Sequence, residues 1–262
     1  MPLVLGLRLP PGLRTFPKTI AFTVESLPPS MGSHLKLHAS DGHTLAAYVA
    51  RPVEPSPSAV VVIQEIFGVN RHIRSVVDDY ANNGFTALAP ALFDRSQPGI
   101  ELNYNAGDSS RGMQIAMHIG FDRALLDVDA ALTQAAQIPG IAKVGIVGFC
   151  YGGTLAWLAA TRLNPAAAVC YYGGQISRFA AERPRCPVML HFGAQDKHIP
   201  PSEIQKIEQS HPGLPLFLYA NAGHGFNCDQ RPDFESHAAS VARQRTLAFF
   251  HSHLQPAAVT AS

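Results

Sequence analysis

Residues 143–163 read KVGIVGFCYGGTLAWLAATRL. The first third is an apolar, β-branched run of the kind that forms a strand buried on both faces, and an amphipathic segment follows it. Between them stands Gly148-Phe149-Cys150-Tyr151-Gly152-Gly153. A strand that turns into a helix through small residues around one reactive side chain is a G-x-S-x-G elbow, which holds the nucleophile exposed above a sheet. Here the Cys150 sulfur takes the place of the serine oxygen. Two other readings compete. One is a buried cysteine beside glycines needed for close helix–sheet packing. The other is a dinucleotide phosphate loop, but that needs G-x-G-x-x-G, and the glycines here are spaced differently.

Outward from the elbow, strands and helices alternate. Upstream, HLKLHASDGHTLAAYVA carries two short alternating runs around Asp41-Gly42, a hairpin signal. AVVVIQE (59–65) is a continuous apolar run, and TALAPAL (86–92) is a second strand. Between them Ile73, Val76, Val77 and Tyr80 recur at helical spacing up to Asn83-Gly84. A helical region spans about 109–137, and the segment 93–110 is the one long irregular connection. Downstream, AAVCYYG (167–173), VMLHFG (188–193) and PLFLYA (215–220) are strands, with helices after residue 152, near 201–210 and over 233–254. This alternation predicts an α/β fold with a mostly parallel sheet covered by helices on both faces.

Composition narrows the function classes. A chain of 262 residues, 47% hydrophobic and 15% charged, can bury a large core. A net charge of +1 gives no electrostatic ground for a nucleic-acid or acidic-membrane partner. Four cysteines without a CxxC pair point to cytosolic thiols and a cytoplasmic protein, not a disulfide scaffold. No apolar stretch approaches a membrane span. Residues 1–30 are Pro-rich and without a clear period, a poor signal peptide and a poor domain. They are expected to be a loosely held extension upstream of a single domain at 31–262, with Met31 as a candidate functional start.

A thiol nucleophile needs a base and a group to orient that base, expected from later strand ends in the order nucleophile, acid, histidine. The loop after 188–193 supplies Asp196, and the loop after 215–220 supplies His224 between two glycines. The helix that begins after Cys150 adds its N-terminal dipole. His191, inside an apolar strand, reads as a core residue. His198, as the base, would leave the Gly-flanked His224 unexplained, and Asp229 is too near His224 in sequence to orient it from the far side. Cys170 and Cys186 read as packing residues, with Cys228 open. No paired Cys/His spacing suggests a metal.

Together, VVVIQEIFGVN, PALFDR, VGFCYGG, FGAQDKHIP and AGHGFNCDQRP resemble dienelactone hydrolase, also called carboxymethylenebutenolidase, over about residues 33–254. The resemblance implies an α/β-hydrolase fold and a Cys150–His224–Asp196 triad acting on the lactone ring of dienelactones. It also implies a role for Glu65, which in the resting family enzyme holds the thiol and, on substrate binding, is released to take its proton. Independently, a carboxylate ending a buried apolar strand is costly unless it is paired, which favours a functional reading of Glu65. The backbone N–H groups of Tyr151 and Ile66 would form the oxyanion hole. Arginines clamp the substrate carboxylate in the family, and Arg95 matches one of them. The second stands four residues after the catalytic histidine, where this chain has Cys228, and Arg231 follows three residues later. Tyr104 is a further pocket candidate.

These readings converge on a cysteine-dependent hydrolase that opens a small carboxylate-bearing lactone or ester through an acyl-enzyme. No metal or organic cofactor is implied, and the protein is expected to be a monomer or weak homo-oligomer. A broad esterase or thioesterase is the nearest alternative. From another class, Cys150 could be the thiol of a redox sensor, but a sensor would not need Glu65, Asp196 and His224 as well.

Overall fold

The structure, a computed structural model, describes residues 32–255, so the expected extension at 1–30 lies outside the described residues. The alternating runs around Asp41-Gly42 form the antiparallel hairpin of β1 (Ser33–His38) and β2 (Thr44–Ala50). The apolar runs become β3 (Ser58–Ile63), β4 (Thr86–Pro90), β5 (Lys143–Phe149), β6 (Ala167–Tyr171), β7 (Val188–Gly193) and β8 (Leu216–Tyr219). One sheet takes them in the order β1-β2-β4-β3-β5-β6-β7-β8, with β3 to β8 parallel and β2 of the hairpin antiparallel to β4. Every residue of β3, β4, β6 and β7 is buried, which is why these runs are mostly apolar and do not alternate.

Among the described residues five α-helices cover the sheet: α1 (Arg71–Asn82), α2 (Ala106–Ala136), α3 (Tyr151–Arg162), α4 (Pro201–Ser210) and α5 (Ser236–Leu254). Two glycines of β5 record how closely the layers approach. A Cβ on Gly145 would lie 2.8 Å from Leu254 of α5, and one on Gly148 would lie 1.9 Å from the Gly152 carbonyl of α3. Side chains alternate along a strand, so positions 145 and 148 face opposite ways and α5 and α3 cover opposite faces. Phe121 of α2 stacks on Tyr151 of α3 at 5.6 Å, and Tyr80 of α1 meets Phe250 of α5 at 6.0 Å.

The chain reverses its direction of travel across the sheet at β3, with β4 on one side and β5 on the other. The crevice beyond the carboxyl ends of the strands at such a switch point is where open α/β sheets bind ligands. Three boundaries differ from expectation. α2 begins at Ala106 because the Asn105 side chain accepts from the Asp108 N–H at 2.8 Å, and its path is broken at Gly120 (φ 72, ψ 159). The first part of the 93–110 connection is ordered as a 3₁₀ turn, Leu92–Arg95. α5 starts at Ser236, capped by the Glu235 carboxylate, which accepts from the Ala238 N–H at 2.6 Å.

Candidate active site

The elbow forms at the carboxyl end of β5. Cys150 has φ 55 and ψ −112, a conformation that an L-residue rarely holds and that commonly marks strained functional positions. Its N–H donates to the Tyr171 carbonyl at 3.0 Å, and its carbonyl accepts from Thr154 at 3.2 Å, the first bond of α3. The glycines let α3 sit hard against the strand ends. A Cβ on Gly152 would come within 2.4 Å of the Ile63 carbonyl, and one on Gly153 within 2.3 Å of the Tyr171 carbonyl. Close packing and the elbow are therefore one feature.

Loops after β7 and β8 bring the other two groups to the sulfur. His224 Nε2 lies 3.1 Å from Cys150 Sγ, and its Nδ1 lies 2.7 Å from Asp196 Oδ2. The other Asp196 oxygen accepts from the His198 N–H at 2.8 Å, which fixes the carboxylate. An ionised carboxylate only accepts, so the imidazole carries a proton on Nδ1 and presents Nε2 to the thiol. Burial alone would push the imidazolium of His224 down. The charge of Cys150, with hydrogen bonds to Asp196 and Cys150, outweighs it and holds the group up at about 10. The arrangement can take a proton from sulfur and keep it.

Tyr151 and Ile66, expected to supply the oxyanion hole, border the same space. Tyr151 is the first residue of α3, where no intrahelical acceptor exists for its N–H. Ile66 follows β3, and its carbonyl is so near Gly112 of α2 that a Cβ there would lie 1.9 Å from it. Tyr151, Ile66, Cys150, His224 and Arg231 all line a cavity of ≈ 680 Å³.

Glu65 is buried, as its position after β3 requires, and its side chain accepts from Arg231 at 3.2 Å. His224, not Glu65, is the group bonded to the thiol. The resting arrangement implied by the resemblance is therefore not the one seen here. Arg231 packs over Phe67 and Tyr104, 5.9 Å from each ring, and its guanidinium occupies the space a Cβ on Gly225 would need. Tyr104 accepts from Asn70 at 3.0 Å and stands behind Arg231, outside the cavity lining.

Arg95 is not brought to the cavity. Its guanidinium donates to Asp127 at 2.6 and 2.8 Å and to Asp41 at 2.7 Å, and its side chain is only 7% exposed. This corrects the substrate-clamp reading, because a cation engaged by two carboxylates has no charge left to offer a third. Arg95→Ala should instead act on stability, leaving the fully buried Asp127 carboxylate unpaired at a cost of about 3 kcal/mol or more. Urea unfolding should show that loss, while the ratio of hydrolysis rates on acid-bearing and neutral test esters stays as it was. A changed ratio in a stable Arg95→Ala protein would restore the clamp.

Several contributors carried no motif. Thr154, Gln175, Arg178, Met113, Met117 and Phe121 line the cavity. Gln175 and Arg178 stand in the loop after β6, a strand-end position like those that mark Asp196 and His224 in the sequence. Asp127 had a signal of its own, standing among Ala124, Val128 and Ala131 on the apolar side of α2. His191, as expected, is fully buried, and Tyr219 and Thr246 engage its two ring nitrogens. Although the sequence shows no paired metal spacing, the fold gathers one possible ligand group among the described residues. His72, Cys228 and Asp229 each place an atom within 4.8 Å of the others. None lines the cavity, His72 is already bonded to Asp229 at 3.1 Å, and burial pushes the Cys228 thiol up to about 12.

A family model described as the dienelactone hydrolase family matches residues 45–254. The chain is 31% identical over 222 residues to a carboxymethylenebutenolidase of Pseudomonas putida, covering 82% of this chain and 94% of that one. It is 32% identical to carboxymethylenebutenolidase 1 of Cupriavidus pinatubonensis, covering 81% and 94%. Among solved structures, a Klebsiella pneumoniae protein assigned as a dienelactone hydrolase superposes with a TM-score of 0.72 at 28% identity, over 84% of this chain and 99% of that one. The metagenomic dienelactone hydrolase-like promiscuous phosphotriesterase P91 superposes at 0.65 with 22% identity, over 85% and 98%, a likeness of fold.

Proposed function

The chain belongs to the dienelactone hydrolase family, and from that premise we propose that it hydrolyses small lactones and esters with Cys150 as nucleophile. The observation that carries this reading is the line of Cys150, His224 and Asp196 at 3.1 and 2.7 Å on a strained elbow. His224 Nε2 takes the thiol proton as sulfur attacks the carbonyl carbon. The carbonyl oxygen becomes an oxyanion facing the N–H groups of Ile66 and Tyr151, and a donor of this kind is typically worth roughly 10²–10³ in kcat. As the tetrahedral adduct collapses, His224 returns the proton to the leaving oxygen. A lactone then stays attached as an opened thioester. Water, deprotonated by His224, attacks that thioester and the thiol is regenerated.

Buried Glu65 and half-buried Arg231 stand beside these steps as an ion pair. A substrate carboxylate is part of the proposal, supported by Arg178 among the cavity-lining residues, whereas the charge of Arg231, which also lines it, is already opposed by Glu65. The size of the cavity favours a second substrate class alongside dienelactones, open-chain esters or thioesters. Among the described residues no helix is long and apolar enough to cross a membrane. A cytoplasmic location belongs to the same proposal, supported by four unpaired cysteines. So does action as a monomer or weak homo-oligomer, since one chain supplies every group named.

The test is a panel of lactones and aryl esters with rapid mixing and mass spectrometry. We expect a burst of leaving group equal to the enzyme present and an acyl adduct on the peptide containing Cys150. Steady hydrolysis with the adduct on another residue, or none trapped with a slow ester, would remove the thiol mechanism.

A further inference from the structure

The cavity is larger than a single lactone ring requires. At ≈ 680 Å³ it lies within the range of roughly 300–1,000 Å³ that encloses drug-sized ligands. Its extra wall is apolar and comes from α2, where Met113 and Met117 are 48% and 75% exposed beside Phe121. Exposed methionines over a cavity form an adaptable surface for an apolar chain or ring. Two guanidinium groups reach the same cavity from opposite sides of the nucleophile. Cys150 follows β5, and β5 lies between β3 and β6. Arg231 sits on the β3 side, where Glu65 at 3.2 Å and Asp233 at 3.7 Å already oppose its charge. A substrate carboxylate there would face the buried Glu65, like charge against like.

The β6 side is different. Arg178 stands in the loop after β6, and among the described residues no carboxylate is within ion-pairing distance of it. Its guanidinium donates to Gln175 Oε1 at 2.8 Å, and the Gln175 N–H donates to Thr154 Oγ1 at 3.2 Å, one turn along α3 from Cys150. The cation is thus tethered to the site and uncompensated. We infer that Arg178 is the anion-recognising residue of this site and that the enzyme selects esters and lactones whose carboxylate stands away from the scissile carbonyl across an apolar spacer. This rests on the hydrolase reading above. The spacer lies along Met113, Met117 and Phe121, and the carboxylate accepts hydrogen bonds from the Arg178 guanidinium at the cavity rim.

A matched pair of substrates tests it on the full chain: the mono-4-nitrophenyl ester of adipic acid and 4-nitrophenyl hexanoate, equal in acyl length and differing in the terminal carboxylate. The readout is the ratio of their kcat/KM values. Wild type should favour the acid-bearing ester by about tenfold, the low end for a charged hydrogen bond at a solvated rim. Arg178→Gln should bring the ratio near one, and Arg178→Glu below one. A wild-type ratio near one with ester turnover present would overturn the proposal and leave the hydrolase standing. So would a ratio that neither substitution moves. No turnover of any ester or lactone, or turnover that survives in Cys150→Ala, would strike the hydrolase reading itself and Arg178 with it.

Discussion

Cys150→Ala should lower kcat by roughly 10⁴-fold or more, because a nucleophile acting as one unit with its base cannot be replaced by either partner alone. The protein should stay folded, since the glycines and hydrogen bonds that shape the elbow do not involve the sulfur. A folded Cys150→Ala protein at full activity would end the mechanism. Cys170→Ala is the matching control, removing a fully buried thiol that burial pushes well above its ordinary range. It should cost stability and keep turnover. The same Cys150→Ala protein gives a second reading through pH. His224 is held at about 10 when folded, above its ordinary 6.5. Its contribution to stability is therefore complete below the unfolded value and is lost as pH rises through the folded one. Cys150 supplies the largest of the causes that raise it. The wild-type Tm should then fall more steeply between about pH 6.5 and 10 than the Tm of Cys150→Ala. Parallel curves would mean that sulfur and imidazole are not paired.

What could be read from the sequence and what could not separates along physical lines. The strands β3, β5 and β7 were legible because a strand buried on both faces is almost continuously apolar, with polar residues only at an end (Ser58, Lys143) or hydrogen-bonded inside (His191). The elbow was legible because close approach of α3 to two strand ends leaves room only for glycine at 152 and 153. Asp196 and His224 followed from strand-end position and chain order. Roles decided by long-range pairing were not legible. Arg95 matches a family motif, yet its partners are Asp127 and Asp41, 32 and 54 residues away, and although Asp127 stands out on the apolar side of α2, nothing local announces either pairing. The resemblance likewise implies that Glu65 holds the thiol, whereas its partner is Arg231, 166 residues on. The start of α2 was a different miss. Asn105 with Asp108 three residues later is a local capping signal, and the Asn105 amide also donates to the Asp108 carboxylate at 3.0 Å.

Asp196→Asn should reduce kcat by roughly 10³- to 10⁴-fold without moving any residue far. The reason lies in how the two carboxylate oxygens are used. Oδ1 accepts from the His198 N–H at 2.8 Å, and Oδ2 faces His224 Nδ1 at 2.7 Å. In the asparagine side chain the remaining carbonyl oxygen must stay on the His198 N–H, because an amide nitrogen there would set donor against donor. The NH₂ group then faces His224 and requires Nδ1 to accept. The neutral imidazole answers by placing its proton on Nε2, the atom 3.1 Å from Cys150 Sγ. A base that presents a hydrogen to the thiol cannot take one from it. The charge and hydrogen bond of Asp196 that help raise the His224 pKa are lost in the same change, so less imidazolium stands opposite the sulfur. Because Asp196 touches no substrate in this arrangement, KM for a neutral ester should change far less than kcat. Nitrogen-resolved NMR of His224, taken above about pH 10 where the wild-type imidazole is neutral, should show the proton on Nδ1 in wild type and on Nε2 in Asp196→Asn. A normal kcat in a variant whose tautomer has switched would remove His224 as the base, and an unswitched tautomer with lost activity would give Asp196 a role other than orienting it.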